Sequence, residues 1–594
     1  MKRCPECRRD YYDDSLLYCL DDGGALLEGP ATMDEPATAI LSEPGAVATG
    51  LPAGESPTRS QINTTDQTAI FSRGAEAEPQ KIIDDLSERQ SLSEHQAAKP
   101  PGKFGGRNGL LLGLAIAVLL LVGGFFGYRY FAPTRQIESI AVMPLVNESG
   151  NADIEYLSDG MTETLITSLS RIPNLSVSAR ASVFRYKGKE MDAGALGKEL
   201  NVQAVLTGKV SQRGQELSLY VELVDVATDK IIWSETYDRQ MASIVGLQKD
   251  IVRDVSQKLQ TRLSTADEAK LAKNHTSNAE AYKLYLQGRY YWNKRTPREN
   301  EKALEYYEGA IALDPTYALA YAALADSYLL QLPTMPRAER FPKARAAAIK
   351  ALEIDDTLGE AHAALAEVEV ANWNWPAAER GFIRALELNP NYPTAHHWYA
   401  EYLSRFGRHD EAIREIRRAQ ELDPLSIPIH MIAGHVLMMA RRYDEAIAQF
   451  KQTLEMDQNF HLARVFLAET YVNKGMYEEA INEAEKRVMR LQDAPEGQVA
   501  RQLETFAELR AAYRQSSARG FHEKRLEQQR GSERPFLMAR LYAQLGDNDR
   551  AFEWLEKVVE KREGDGYLNV DPALDPVRGD PRFRELLRKA GFPH

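Results

Sequence analysis

The sequence predicts a multidomain chain: a small metal-binding segment, a single transmembrane helix, an α/β domain and an all-α repeat solenoid. Three observations predict it. All three cysteines, Cys4, Cys7 and Cys19, lie near the start, residues 109–127 carry no charge, and a helix-ending pattern recurs every 34 residues in the second half. At 594 residues the chain exceeds what one core can organise, since single cores stop growing near ~250–300 residues. The net charge of −13 argues against a broad nucleic-acid-binding surface, which needs clustered Lys and Arg.

Residues 1–28 hold the metal-binding expectation. Cys4-Pro-Glu-Cys7 is a knuckle that can grip a tetrahedral Zn²⁺ through two thiolates. Cys19 opens a second knuckle, with Asp22 where another cysteine is expected. The segment is similar to short zinc ribbons, which implies a site of Cys4, Cys7, Cys19 and Asp22. Asp21 or a partner's ligand are alternatives for the fourth position, and three free thiols are the alternative to any site. Zinc is preferred because so short a piece has no other means of folding. Clustering of thiols here, with none in the remaining chain, fits a reducing compartment for this end alone.

Residues 29–107 read as a disordered linker, rich in Ala, Pro, Ser, Thr, Glu and Gly and poor in aromatics. Inside it EPATAIL (35–41) and DQTAIF (66–71) place Thr38 and Thr68 in similar settings, either phosphorylation sites or chance likeness in a biased segment. Residues 108–131 are the transmembrane helix: nineteen uncharged residues, GLLLGLAIAVLLLVGGFFG, are long enough for a ~30 Å hydrocarbon layer. Lys99, Lys103 and Arg107 before the span outweigh Arg129 and Arg135 after it, which favours a cytoplasmic N-terminus. Gly109/Gly113 and Gly123/Gly127 are GxxxG pairs of the kind that pack a homodimer.

Residues 137–263 read as the α/β domain. SIAVMPLV (139–146) suits a buried strand, 157–171 a helix and 175–180 a second strand, with another helix at 192–201. AVLTGKV (204–210), ELSLYVELVDV (216–226) and KIIWSETYD (230–238) alternate, and turn residues between them predict an antiparallel meander. A closing helix spans 244–263, and Ser158-Asp159-Gly160 reads as an N-cap rather than an acidic functional loop.

The solenoid covers 278–490. Helix pairs end in ALDP (312–315), EIDD (353–356), ELNP (387–390), ELDP (421–424) and EMDQ (455–458), and the last four are spaced by 34, the tetratricopeptide period. Twelve residues before each terminator stands Ala303, Ala344, Ala378, Ala412 or Ala446; four residues after the later ones come Phe382, Ile416 and Phe450. Small residues let two helices cross closely, and proline ends the second because it lacks an N–H. Residues 330–342 are an insertion, 491–534 an irregular helical region, and 535–594 a terminal unit with its tail.

On these positions the helical half resembles tetratricopeptide-repeat (TPR) proteins. SIAVMPLVNESG, EYLSDGMTETLITSLSRIPNLSV and TGKVSQRGQELSLYVELVDVATDKIIWSETYDR resemble the TolB-like amino-terminal domain, which in bacteria often precedes such repeats. The resemblance implies an envelope protein, a sensor or scaffold in the bacterial inner membrane with its C-terminal domains in the periplasm. It supplies no catalytic residue. The sequence contains no GxxxxGK[ST], HExxH, GxSxG or kinase motif, and His396-His397 and His409-Asp410 fall on repeat helices and a turn, so the chain reads as non-enzymatic.

The expected partners are proteins or peptides on the concave face, lined by the first helix of each unit. Repeat numbering places there His397, Glu401 and Arg405, then Met431, His435 and Met439, then Glu469 and Asn473. The Lys and Asn pattern that clamps a peptide carboxylate is absent, so an apolar or basic segment is the expected ligand. The second function class is transmembrane signalling to transcription through the zinc ribbon, which Lys2, Arg3, Arg8 and Arg9 make locally basic.

Overall fold

The computed structural model describes residues 2–3, 10–11, 27–28 and 137–592, except short stretches at 152–153, 173, 190, 260–275, 295, 331–334, 491–496 and 563–565. Cys4, Cys7, Cys19 and Asp22, the linker with Thr38 and Thr68, and the span 108–131 with its glycine pairs lie outside the described residues. Among the described residues no helix is long and apolar enough to cross a membrane. Near the N-terminus three short strands, β1 (Lys2–Arg3), β2 (Asp10–Tyr11) and β3 (Leu27–Glu28), form an antiparallel sheet in the order β2-β1-β3. In β1 and β2 Lys2 opposes Tyr11 and Arg3 opposes Asp10.

The α/β region is a mixed sheet with helices. β4 (Ser139–Val142) lies between β6 (Ser176–Val177) and β7 (Ala204–Arg213), parallel to both, and the short β5 (Val146–Asn147) also pairs with β7. β7, β8 (Glu216–Asp225) and β9 (Lys230–Gln240) form the antiparallel meander expected from the alternation. Leu217, Leu219, Val221 and Leu223 of β8 are fully buried while Ser218, Tyr220 and Glu222 between them are not, which is the two-residue period made visible. They pack with α1 (Glu155–Ser170) and with α4 (Ile244–Lys258), whose Leu247, Ile251 and Val255 have no exposure. α2 (Arg180–Phe184) was not foreseen, and α3 is Ala193–Glu199. The N-cap reading of Ser158-Asp159-Gly160 is overturned: α1 starts at Glu155, and Asp159 is buried within it, held by Lys187 at 2.5 Å.

Among the described residues sixteen α-helices follow. α5 (Ala279–Trp292) to α16 (Tyr477–Met489) form six antiparallel pairs: α6 is Pro297–Leu313, α7 Ala318–Leu329, α8 Arg337–Ile354, α9 Gly359–Ala371, α10 Trp375–Leu388, α11 Pro393–Arg405, α12 His409–Leu422, α13 Ile427–Met439, α14 Tyr443–Met456 and α15 His461–Asn473. α17 (Gln498–Gln528) breaks at Ser516 and Ser517 and doubles back, with Lys524 reaching Glu508 at 3.1 Å. The remaining helices are α18 (Pro535–Leu545), α19 (Asn548–Lys561) and α20 (Pro581–Lys589). The small residues sit where the pattern requires them: Ala303, Ala344, Ala378, Ala412 and Ala446 have zero exposure. A Cβ on Gly434 would lie 2.6 Å from the Phe450 ring, so α13 and α14 meet there only because the side chain is missing.

A second periodicity holds each unit. Nε2 of His362, His396 and His430 bonds the carbonyl oxygen six residues earlier, at Asp356, Pro390 and Pro424, at 2.9–3.0 Å. Arg464 does the same to Gln458 at 3.2 Å. The other end of three of these side chains reaches the second helix nineteen residues on: His396 to Glu415, His430 to Gln449 and Arg464 to Glu483. These histidines are latches of the fold, which explains their spacing without any metal.

Candidate partner-binding site

The concave face is built by α11, α13 and α15, as the repeat numbering requires. It is covered by the chain's own C-terminal segment. After α19 the chain turns back through Gly566 (φ +72°) and lays two 3₁₀ turns, Tyr567–Asn569 and Pro572–Val577, against the inner helices before α20. Tyr567, Leu568, Leu574, Val577, Phe583 and Phe592 join one core with Phe382, Tyr402, Val436 and Phe450 of the repeats.

Five of the eight groove residues named from sequence meet around this segment. The Arg405 guanidinium lies 4.6 Å from the Tyr567 ring centre, and His435 stands edge-on to that ring at 4.8 Å. The Tyr567 hydroxyl donates to Glu401 at 3.4 Å, and His397 lies 3.4 Å from the same carboxylate. Burial pushes Glu401 up, but the hydrogen bond from His397 and the charges of Arg405, His397 and His435 outweigh it and hold the carboxyl well below its usual range. Glu469 shares Arg540 (3.1 Å) with Asp571 of the tail (3.3 Å). Burial raises both acids; Arg540 brings Glu469 below its ordinary value but leaves Asp571 above it. Met431 and Met439 are buried in the shared core, and the Asn473 amide nitrogen, also buried, finds no partner among the described residues.

Sequence reasoning missed the residues that hold the tail. Arg441 donates to the Val570 carbonyl at 2.6 Å and pairs with Asp575 at 2.5 Å. The Trp375 indole donates to the Ala590 carbonyl at 2.9 Å and packs on Phe592. A signal was present: the position that ends the first helix of a unit is Gly407 and Gly475, with positive φ, but Trp373 and Arg441 take the same left-handed conformation in neighbouring units. Such residues cost about 1 kcal/mol or more there relative to glycine. Beside Arg441, an open cavity of about 440 Å³ is lined by Gly407, His409, Asn569, Asp575 and Arg578. Among the described residues no group of three or more His, Cys, Asp or Glu is placed to hold a metal ion.

Residues 437–502 and 536–561 match tetratricopeptide-repeat families, and 374–453 match the family described as anaphase-promoting complex, cyclosome, subunit 3. The second half is a tetratricopeptide-repeat solenoid. Residues 135–254, the α/β region, match the second domain of HilA/YgeH-like transcriptional regulators. A curated protein of Rhizobium meliloti (strain 1021), named "Putative adenylate cyclase 3", is 32% identical over 187 residues. The match covers 32% of this chain and spans about a third of the length of that relative (32%). Solved tetratricopeptide structures are more distant. YrrB, titled as having an unusual peptide-binding site, is 23% identical with TM-score 0.25, covering 33% of this chain and 97% of that one. Pseudomonas aeruginosa pilF is 19% identical with TM-score 0.26, covering 43% and 96%.

Proposed function

We propose that the chain is a non-enzymatic, membrane-anchored scaffold or sensor that assembles other proteins through its repeats. The observation that carries the reading is the stack of tetratricopeptide units, an architecture that generally binds protein or peptide ligands, joined to the α/β region. The uncharged segment 109–127 supports a single span in the bacterial inner membrane, with the repeats in the periplasm and the cysteine segment in the cytoplasm. The lack of a catalytic motif in the sequence supports the non-enzymatic part. The full chain, solubilised in detergent with an affinity tag, is expected to retain specific proteins that a chain lacking residues 278–594 does not. Equal recovery by both would sink the reading. Reporter fusions at either end test the orientation.

A second reading has an observation of its own. The likeness of the α/β region to a domain of transcriptional regulators, and of part of the chain to a protein named for a cyclase, favours signalling across the membrane. In it Cys4, Cys7, Cys19 and Asp22 hold Zn²⁺, and the basic segment around Arg8 and Arg9 contacts nucleic acid or polymerase. Zinc content of the purified chain, with and without Cys4→Ser, tests the metal; about one equivalent falling to none is expected.

A further inference from the structure

We propose that residues 566–592 are a built-in peptide ligand of the solenoid, and that a partner segment with a tyrosine followed four residues later by an aspartate enters the same seat. The proposal rests on the repeats being the partner-binding part of the chain.

The seat recognises chemistry rather than merely filling space. Tyr567 is met on its face by Arg405, by the His435 ring standing perpendicular to its own, and at its hydroxyl by Glu401. Four residues on, Asp571 is met by Arg540, itself held by Glu469. Burying this many charges adds little stability compared with apolar packing, but it discriminates strongly for a segment that presents the matching groups. Apolar anchors flank the seat at Trp375 and Phe592, as in peptide grooves generally.

The clamp on the tail also runs against the needs of the repeat. Glycine ends the first helix of a unit at Gly407 and Gly475 without strain, yet Arg441 takes φ +59° at the equivalent position. Its side chain spends that strain on the Val570 carbonyl and Asp575, both in the tail. A strained residue retained where an unstrained one serves its neighbours points to holding the tail as its role. The tail also joins α19 only through a short connection between Arg562 and Gly566, both of positive φ. Its order is therefore set by the seat and not by continuous helix.

The test uses the full chain with a site-specific protease sequence replacing residues 563–565, so that the tail can be cut from its tether yet stay seated. The probe is a fluorescently labelled synthetic peptide of residues 566–594, read by anisotropy. The cut chain is expected to exchange its tail for the peptide and the uncut chain to exclude it. The Tyr567→Ala peptide is expected to bind at least tenfold more weakly. Arg441→Gly in the uncut chain is expected to admit the peptide; as a helix cap alone, glycine would leave the chain closed. A cut chain that never exchanges its tail, an uncut chain that binds as well as the cut one, or a Tyr567→Ala peptide of equal affinity would each overturn the proposal. Because the probe is the chain's own segment, exchange without any captured partner would fault the scaffold reading and leave the seat standing.

Discussion

At the scale of single residues, polar groups inside the solenoid carry most of the specific information. His522 is an example. It lies 5% exposed beside Phe521 and Tyr477, and burial, helped by the charge of Arg525, lowers its pKa to about 4. The fold therefore favours the neutral ring. Since the unfolded chain takes up the proton near the ordinary value of about 6.5, this contribution is complete above that pH and is lost as pH falls towards about 4. The expected loss is on the order of 2–3 kcal/mol. His522→Phe keeps a neutral ring, and its melting temperature is expected to vary less with pH than the parent's between pH 6.5 and 4. An unchanged slope would assign the effect to other groups.

At the scale of elements, one 34-residue unit depends on how closely its two helices cross. The α13–α14 crossing is a tight one to test, because Gly434 faces the Phe450 ring with no room for a Cβ. Gly434→Val should cost about 2–4 kcal/mol, as overpacking forces the helices apart. Gly434→Ala should cost less, since Ala400 stands at the matching position of the preceding unit with zero exposure. Urea unfolding monitored by circular dichroism measures both. The terminating motifs, the buried alanines and the 34-residue spacing were all legible in the sequence, because each reports a contact inside one repeat. The latches of His396, His430 and Arg464 were equally periodic, but their partners lie on another helix and in a loop carbonyl, which no sequence pattern displays.

At the scale of the whole molecule, the α/β region and the repeats act as one unit. Glu163 of α1 is 5% exposed and accepts from Arg289 of α5 at 2.8 Å and from Asn293, with Arg180 at 3.6 Å. Arg171 reaches Glu360 of α9 at 3.0 Å, and the Asn391 amide donates to the Ser170 and Leu175 carbonyls at 3.1 Å. Glu163→Gln leaves the partly buried Arg289 without its carboxylate, a loss of about 3 kcal/mol. Calorimetry is expected to show the α/β region melting apart from the repeats in this variant; a single transition at the parent temperature would show that apolar contacts alone couple the two.

By itself the sequence determined the order of its parts: an uncharged stretch after a linker, a meander of alternating strands, and repeats set by alanine and proline at fixed intervals. These are local properties, governed by periodicity and by which residues a helix or strand accepts. Tertiary structure alone decided what the concave face holds. The inner positions His397, Glu401, Arg405, His435 and Glu469 were countable from the period, but their neighbours Tyr567 and Asp571 lie roughly 100 to 170 residues further on. A charge at the inner face has the same sequence signature whether it meets solvent, a partner or the chain's own tail. Only the return of the chain beyond α19 distinguishes these cases, because it brings a tyrosine and an aspartate into a seat whose groups are far apart in sequence.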